Sequence, residues 1–401
     1  MSAVDDPTAG HPAPGSEPDG SGLPVEAAPI DAETAAAVRA AAPRPDRFRP
    51  AAAGWIGRGV VWAALAWVVL CLPGNIASPV SLSATEARGA SEAVVFAIIG
   101  LSLNVLIGYA GQISLGHQAF VGIGAFTSAF VVTELGQEFW LGVIVAALVG
   151  ALQALLLGGV ALRVTGLYFA LITLSYGVMV QQSLFNVESL TGGVAGRDAP
   201  LPTGVSSAYG YYYVCLGLLA LVLWLDWRLT RTKAGRALLA VRENPRVAAT
   251  LGIDIRGYTV LAFMVSGFFA GIGGALFAHR DGFVVAEPFT FQLALIFIIM
   301  TVVGGLRSRS GVVLGSAFFA LMGDGILLKL LRLEGFFENV VKLPSEFVPL
   351  VLGPLLLLLT LTLYPGGIGQ QVAPVRGWLL GGRFDRHAGA VKEVQVTDVR
   401  A

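Results

Sequence analysis

The chain has 401 residues, 55% hydrophobic and only 13% charged, with 26 basic side chains against 26 acidic ones. A soluble domain carries charge on about a quarter of its residues, so a wholly water-facing surface is excluded, and the zero net charge by itself selects no partner. The apolar residues gather in runs of about 18 or more, long enough to cross a bilayer as helices, so the fold class is all-α, a polytopic integral membrane protein with about ten transmembrane helices.

Residues 1–50 are rich in Pro, Ala, Gly and Asp and almost free of large apolar side chains. Such a segment cannot bury enough surface to offset its ordering entropy and reads as a disordered tail. It does not read as a signal peptide, because Asp5 and Asp6 stand where positive charge belongs and no apolar core follows. Ten apolar segments come next, at about 55–72, 92–110, 115–133, 139–162, 166–185, 209–227, 258–278, 289–306, 311–331 and 346–364. Only Gly111-Gln-Ile-Ser114 separates the second from the third. That joint suits either a tight turn or a break in a re-entrant structure. Residues 373–401 read as a second polar tail.

Lys and Arg in the loops set orientation, because cytoplasmic loops carry their excess. With the N-terminus inside, the inner segments hold Arg44, Arg47, Arg49, Arg163, the seven basic residues from Arg228 to Arg256, Arg307, Arg309, Arg376, Arg383 and Arg386. The outer loops hold Arg88, Arg197, Arg280, Arg332 and Lys342, with Lys329 at an edge. The alternation runs through all ten spans, so both termini are expected in the cytoplasm. Gly267-Phe-Phe-Ala-Gly271 and Gly311-Val-Val-Leu-Gly315 are small-xxx-small pairs of the kind that let helices approach closely in lipid.

The loop of about 228–256 is the longest inner connection. Thr232 suits the cap of a helix beginning at Lys233, on which Ala234, Leu238 and Val241 share a face opposite Arg236 and Glu243. Asn244-Pro245 ends it and can start a second helix, with Asn as N-cap and Pro at the first helical position, and Gly252 suits that helix's C-terminal stop. Two readings stay open here, docking onto a soluble partner or a basic anchor on lipid headgroups.

The stretch from Gly235-Arg-Ala-Leu-Leu-Ala-Val-Arg-Glu-Asn244 through Ala248-Ala-Thr-Leu-Gly-Ile253 resembles the coupling loop of permease subunits of branched-chain amino acid ABC importers. Leu101 to Phe120, Gly166 to Leu174 with Leu190-Thr-Gly-Gly193, and Val303-Gly-Gly-Leu306 with Gly311 to Gly315 agree in order and spacing over about 90–370 and lean toward the M-type permease. Arg246 stands where that coupling signature expects an acid, the loop from Arg332 to Ser345 is longer than usual, and the N-terminal tail is extra. The resemblance implies a permease domain over 51–372 in a bacterial plasma (inner) membrane. It also implies a paralogous permease subunit, two cytoplasmic ATPases that bind ATP in place of this chain, and an extracytoplasmic substrate-binding protein, with no nucleic acid. The sequence is consistent with this, since none of the four lysines, Lys233, Lys329, Lys342 and Lys392, follows a glycine as a phosphate loop requires. The coupling set is then Arg236, Leu238, Val241, Arg242, Glu243, Asn244 and Gly252, with Leu238 and Val241 expected in a groove of the ATPase.

Polar side chains inside spans are costly and belong at the bundle interior or a wet path. Asn104, Gln112, Ser114, His117 and Gln118 cluster at the joint, flanked by Gly108, Gly111 and Gly116. They suit either the lining of a translocation path or interhelical hydrogen bonds, and His117 by itself reads as a hydrogen-bonded structural residue. Thr191-Gly192-Gly193 and Gly196 suit a turn in an outer loop. Asp324 stands out as an acid well inside a span. A secondary transporter is the alternative, though ionisable groups within the spans are few. No metal-ligand set or catalytic constellation marks an enzyme, and Cys71 and Cys215 give no disulfide framework.

Overall fold

A chain in hydrocarbon must satisfy its own backbone, which a helix does within one segment. The computed structural model describes residues 52–71, 83–164, 166–205, 207–323, 362 and 366–379, and each of the first nine predicted segments holds a helix. These are α1 (Ala52–Cys71), α2 (Ala84–Leu103), α3 (His117–Thr133), α4 (Phe139–Ala161), α5 (Leu167–Gln182), α6 (Ala208–Arg231), α9 (Ile255–Arg280), α10 (Phe291–Gly304) and α11 (Arg309–Gly323). Between α6 and α9 lie α7 (Lys233–Glu243) and α8 (Pro245–Thr250), and α12 spans Gly367–Leu379. Among the described residues, five helices are long and apolar enough to cross a membrane: Ala84–Ala110, Phe139–Ala161, Leu167–Asn186, Ala208–Arg231 and Ile255–Arg280. The tails 1–50 and 380–401, segment ten apart from Thr362, the 332–345 loop, Asp324 and Lys329 lie outside the described residues.

Ser83 and Glu86 start α2 with a reciprocal capping box, the Ser83 N–H donating to Glu86 Oε2 at 2.6 Å and the Glu86 N–H to Ser83 Oγ at 3.3 Å. The apolar window of α2 is buried along its whole length, because α6, α9, α10 and α11 pack around it. By contrast α4 turns Leu148, Leu152 and Leu156 outward, and α5 turns out Leu167, Tyr168 and Met179, the faces expected of helices at a lipid boundary.

Close helix crossings explain the small residues. A Cβ on Gly267 would fall within 3.0 Å of the Gly150 carbonyl, and one on Gly271 equally close to that of Ala146, so α9 and α4 meet backbone to backbone. Gly311 and Gly315 do the same for α11 against Gly304 of α10. Both predicted small-xxx-small pairs therefore sit at crossings.

Three features differ from the sequence reading. The second segment ends in a π-helical turn over Asn104–Ala110. One antiparallel pair of two-residue strands, Arg197–Asp198 with Phe283–Val284, ties the α5–α6 connection to the α9–α10 connection. The segment expected to be a polar tail from 373 begins inside a helix, α12. That helix is held by burial of Leu379 and by Arg58 of α1 stacked 5.3 Å from the Trp378 ring.

Candidate functional site

The joint between α2 and α3 is a break rather than a tight turn. Gly111 closes the π turn in the left-handed region at φ 70°, a conformation that costs glycine little. Its N–H and that of Gln112 both donate to the Leu106 carbonyl. The chain then runs irregularly to Gly116 before α3 begins. Such backbone at membrane depth survives only where protein or a cavity surrounds it, and α5 supplies that cover. Thr173 Oγ1 accepts from the Leu115 N–H at 3.0 Å, and Gly116 lies directly against the Thr173 carbonyl.

The polar residues of the joint meet different fates. Ser102 of α2, which the sequence reading did not single out, donates to the Ser266 carbonyl of α9 at 2.7 Å and lies 3.0 Å from His117 Nε2. A hydroxyl has one proton and a carbonyl only accepts. Nε2 therefore carries the imidazole proton and donates to Ser102, which leaves Nδ1 as a buried acceptor without a partner among the described residues. His117 thus joins α3 to α2 and α9. Asn104 is also fully buried, and its Oδ1 accepts from the Arg307 N–H at 2.8 Å. That bond holds the α10–α11 turn, where Arg307 adopts φ 69°. Among the described residues, Ser114 Oγ and both amide atoms of Gln118 are buried without partners, while Gln112 is half-buried.

A second cluster gathers where α6, α11, α7 and the π turn meet. Asp226 of α6, fully buried, pairs with Arg309 of α11 and accepts from Tyr109 Oη at 3.1 Å, while Arg309 also donates to Thr230 Oγ1. Sequence reasoning missed this carboxylate, because both charges sit at span edges where they read as loop residues. Arg242 of α7 donates to the Gly108 carbonyl, one of the acceptors at the C-terminal end of the π turn, where a cation also suits the helix dipole. Partial burial lowers the Arg242 pKa, with Arg307 adding to the shift and Glu243 opposing it. Glu243 accepts from Arg307 Nη2 at 2.6 Å.

The connection from α6 to α9 folds largely as its capping signals direct. The side chain of Asn244 accepts from the N–H groups of Arg246 and Val247 at 3.1 and 3.2 Å, Pro245 takes the first helical position, and Gly252 stops α8 at φ 74°. Thr232 precedes Lys233 as expected, but its hydroxyl donates back to the Leu229 carbonyl at 2.7 Å and accepts nothing from α7.

The apolar face of α7 is the larger correction. Leu238 and Val241 are 1% and 6% exposed, buried against the chain's own bundle, so they are not presented to a separate protein. Arg236 and Glu243 are exposed as expected. The apolar side chains left in solvent lie on α8 and at its C-terminal end, Val247 and Leu251 at 52% and 72% exposure.

At the opposite end, Thr191 closes one helical turn, Glu188–Thr191, its single hydroxyl proton lying between the carbonyls of Phe185 and Val187 at 2.8 and 2.9 Å, and Gly192 caps it at φ 77°. Arg197 reaches Glu134 at 2.6 Å and the Ser189 carbonyl at 3.2 Å. A cleft of about 380 Å³ is lined by Gln181, Gln182, Asn186 and Glu287 together with the apolar Val194, Val285 and Ala286.

Residues 87–360 match the family model described as branched-chain amino acid transport system / permease component. The high-affinity branched-chain amino acid transport system permease protein LivM of Escherichia coli (strain K12) is 34% identical over 269 residues, 60% of this chain and 63% of its own length. The match thus spans under two thirds of that relative. The nucleoside ABC transporter permease protein NupC of Lactococcus lactis is 28% identical over 71% of this chain and 91% of its own. The autoinducer 2 import system permease protein LsrC of Salmonella paratyphi B is 31% identical over 39% and 44%. The family model covers well over half of the sequence, and the chain belongs to the family of branched-chain amino acid transport permease components.

Proposed function

We propose that the chain is the path-forming permease subunit of an ABC importer, spanning the bacterial inner membrane ten times with both termini in the cytoplasm. It pairs with a paralogous permease, is fed by an extracytoplasmic binding protein, and is driven by two cytoplasmic ATPases that carry the nucleotide. The observation that carries this reading is the α7–α8 unit. α7 is fixed to the bundle through Leu238, Val241 and Arg242, while α8 offers Val247 and Leu251 to solvent beside Arg246. Short amphipathic helices dock through anchors of this kind. A proton-coupled carrier would place a carboxylate where a solute or proton can reach it; among the described residues, the buried Asp226 is instead engaged by Arg309 and Tyr109.

The path runs by the α2–α3 joint. Asn104, Gln112, Ser114, His117 and Gln118 border it, and the unpartnered Ser114 and Gln118 are groups that water or solute satisfies when the bundle opens. The substrate is a branched-chain amino acid, as the name of the LivM relative suggests. The nucleoside and autoinducer 2 relatives mark the neighbouring choices. Uptake of labelled leucine in cells expressing the whole system tests the reading. It should stop on ATP depletion and survive an uncoupler at constant ATP, and the opposite pattern, or leucine exchange by the chain alone in liposomes, would sink it.

A further inference from the structure

Among the described residues, a groove of about 520 Å³ opens between α4, α6 and α9. Its walls are apolar, with Leu148 and Ala151 from α4, Leu225 and Leu229 from α6, and Met264 and Phe268 from α9, and at one end stand Arg228 and Thr232. We propose that this groove holds an acyl chain of an anionic phospholipid, whose phosphate is bound by Arg228 together with Arg231.

Depth argues for a lipid over a second protein. On α9 the lining runs from Leu261 to Phe269, about 12 Å at 1.5 Å per residue. That is under half of a hydrocarbon core about 30 Å thick, so the groove belongs to one leaflet, whereas a packed helix from another subunit would use the full thickness. Charge argues for an anionic headgroup. Among the described residues, no ion pair involves Arg228 or Arg231. Their guanidinium groups stack 5.6 Å from the Trp224 ring and 4.7 Å from the Trp227 ring. Both indoles are themselves exposed, as aromatic side chains are at the headgroup level. Thr232 turns its hydroxyl to the Leu229 carbonyl and leaves the arginines to meet the ligand. A guanidinium fork suits a phosphate, and a zwitterionic lipid would bring an ammonium into the same positive field. Placing this site in the cytoplasmic leaflet rests on the orientation proposed above; the choice of headgroup does not.

Native mass spectrometry of the full chain, purified with its partner subunits in mild detergent, tests the assignment. The probes are phosphatidylglycerol and phosphatidylcholine of identical acyl chains. Wild type should retain phosphatidylglycerol in preference. Arg228→Gln and Arg231→Gln, both at exposed positions, should each weaken retention about fivefold, with Arg163→Gln unchanged as the control. Ala151→Trp, which fills the groove, should displace the lipid. Equal retention of the two lipids by wild type overturns the proposal, as does displacement by Ala151→Trp without any effect of the arginine variants, which would mark ordinary annular contact. Disulfide capture of the second permease by Leu225→Cys would also overturn it, since the groove would then be a subunit interface.

Discussion

Leu251 and Leu238 separate docking from folding, because the first is 72% exposed and the second 1%. Fully burying a leucine is worth about 1.5–3 kcal/mol, so covering the exposed 72% of Leu251 at a partner's surface contributes about 1–2 kcal/mol. Leu251→Ala should therefore weaken the ATPase–permease complex by up to about fivefold to thirtyfold and leave the permease's thermal stability within about 0.5 kcal/mol, as for other surface changes. Leu238→Ala should do the reverse, costing about 2–5 kcal/mol of permease stability through the cavity it leaves. The assay is titration of ATPase subunits onto immobilised permease, read beside a detergent melting curve for each variant. Unchanged ATPase affinity in both Leu251→Ala and Val247→Ala would remove α8 as the docking element. Loss of affinity in a stably folded Leu238→Ala would restore α7 to that role.

Four further outcomes follow from the same geometry. Asp226→Asn leaves Arg309 without its counter-charge and should cost about 3 kcal/mol, the low end for a broken buried pair because the Arg309 side chain is 29% exposed; partial recovery of the melting temperature by adding Arg309→Gln would show that the loss lies in that pair. Arg242→Met keeps the stem against Gly111 but removes the bond to the Gly108 carbonyl, so amide exchange across 108–112 should quicken by about tenfold or more, from the 1.5–3 kcal/mol of a charged hydrogen bond, and unaltered exchange there would refute the capping role. Gly267→Val should fail to accumulate as folded protein, since even its Cβ meets the Gly150 backbone, and normal abundance on a fluorescence size-exclusion trace would contradict the crossing. Single cysteines at Glu138 and Arg246, both exposed, should react with an impermeant thiol reagent from outside only at 138, and labelling of 246 in intact cells would invert the orientation.

What could be read from the sequence was local in origin. Helices appeared where apolar runs lie, and Asn244-Pro245 and Gly252 placed the bounds of α8, because caps act within one turn. The small-residue pairs of α9 and α11 showed that crossings exist, though not that Gly150 and Gly304 are their partners. What could not be read depends on tertiary choice. An amphipathic face on α7 announces burial without naming the surface that buries it, and the bundle itself took Leu238. The π turn hides inside 92–110 because an apolar run looks the same in either register. Asp226 and Arg309 stand 83 residues apart, and each resembles an ordinary charge at a span end until the fold sets them together.

The contacts around α7 rank the ways in which motion at α8 can travel. Pulling α7 off the bundle exposes Leu238 and Val241, about 1.5–3 kcal/mol apiece, whereas the Glu243–Arg307 pair, with side chains 64% and 43% exposed, holds with only about 0–1 kcal/mol. A load on α8 therefore moves α7 as part of the bundle and breaks the ion pair before the apolar contact. The backbone next in line is the π turn, joined to α7 by Arg242 at Gly108 and to the α10–α11 turn by Asn104 at Arg307. π turns accommodate an extra residue within an otherwise α-helical run. Reverting one to α geometry shifts the following chain by one residue, a rotation of about 100° at 3.6 residues per turn. The chain that follows is Gly111 to Ser114, leading into His117 and Gln118. On the proposed reading, this turn lies between the α7–α8 unit and the path, and the faster exchange expected of Arg242→Met measures how firmly it is held.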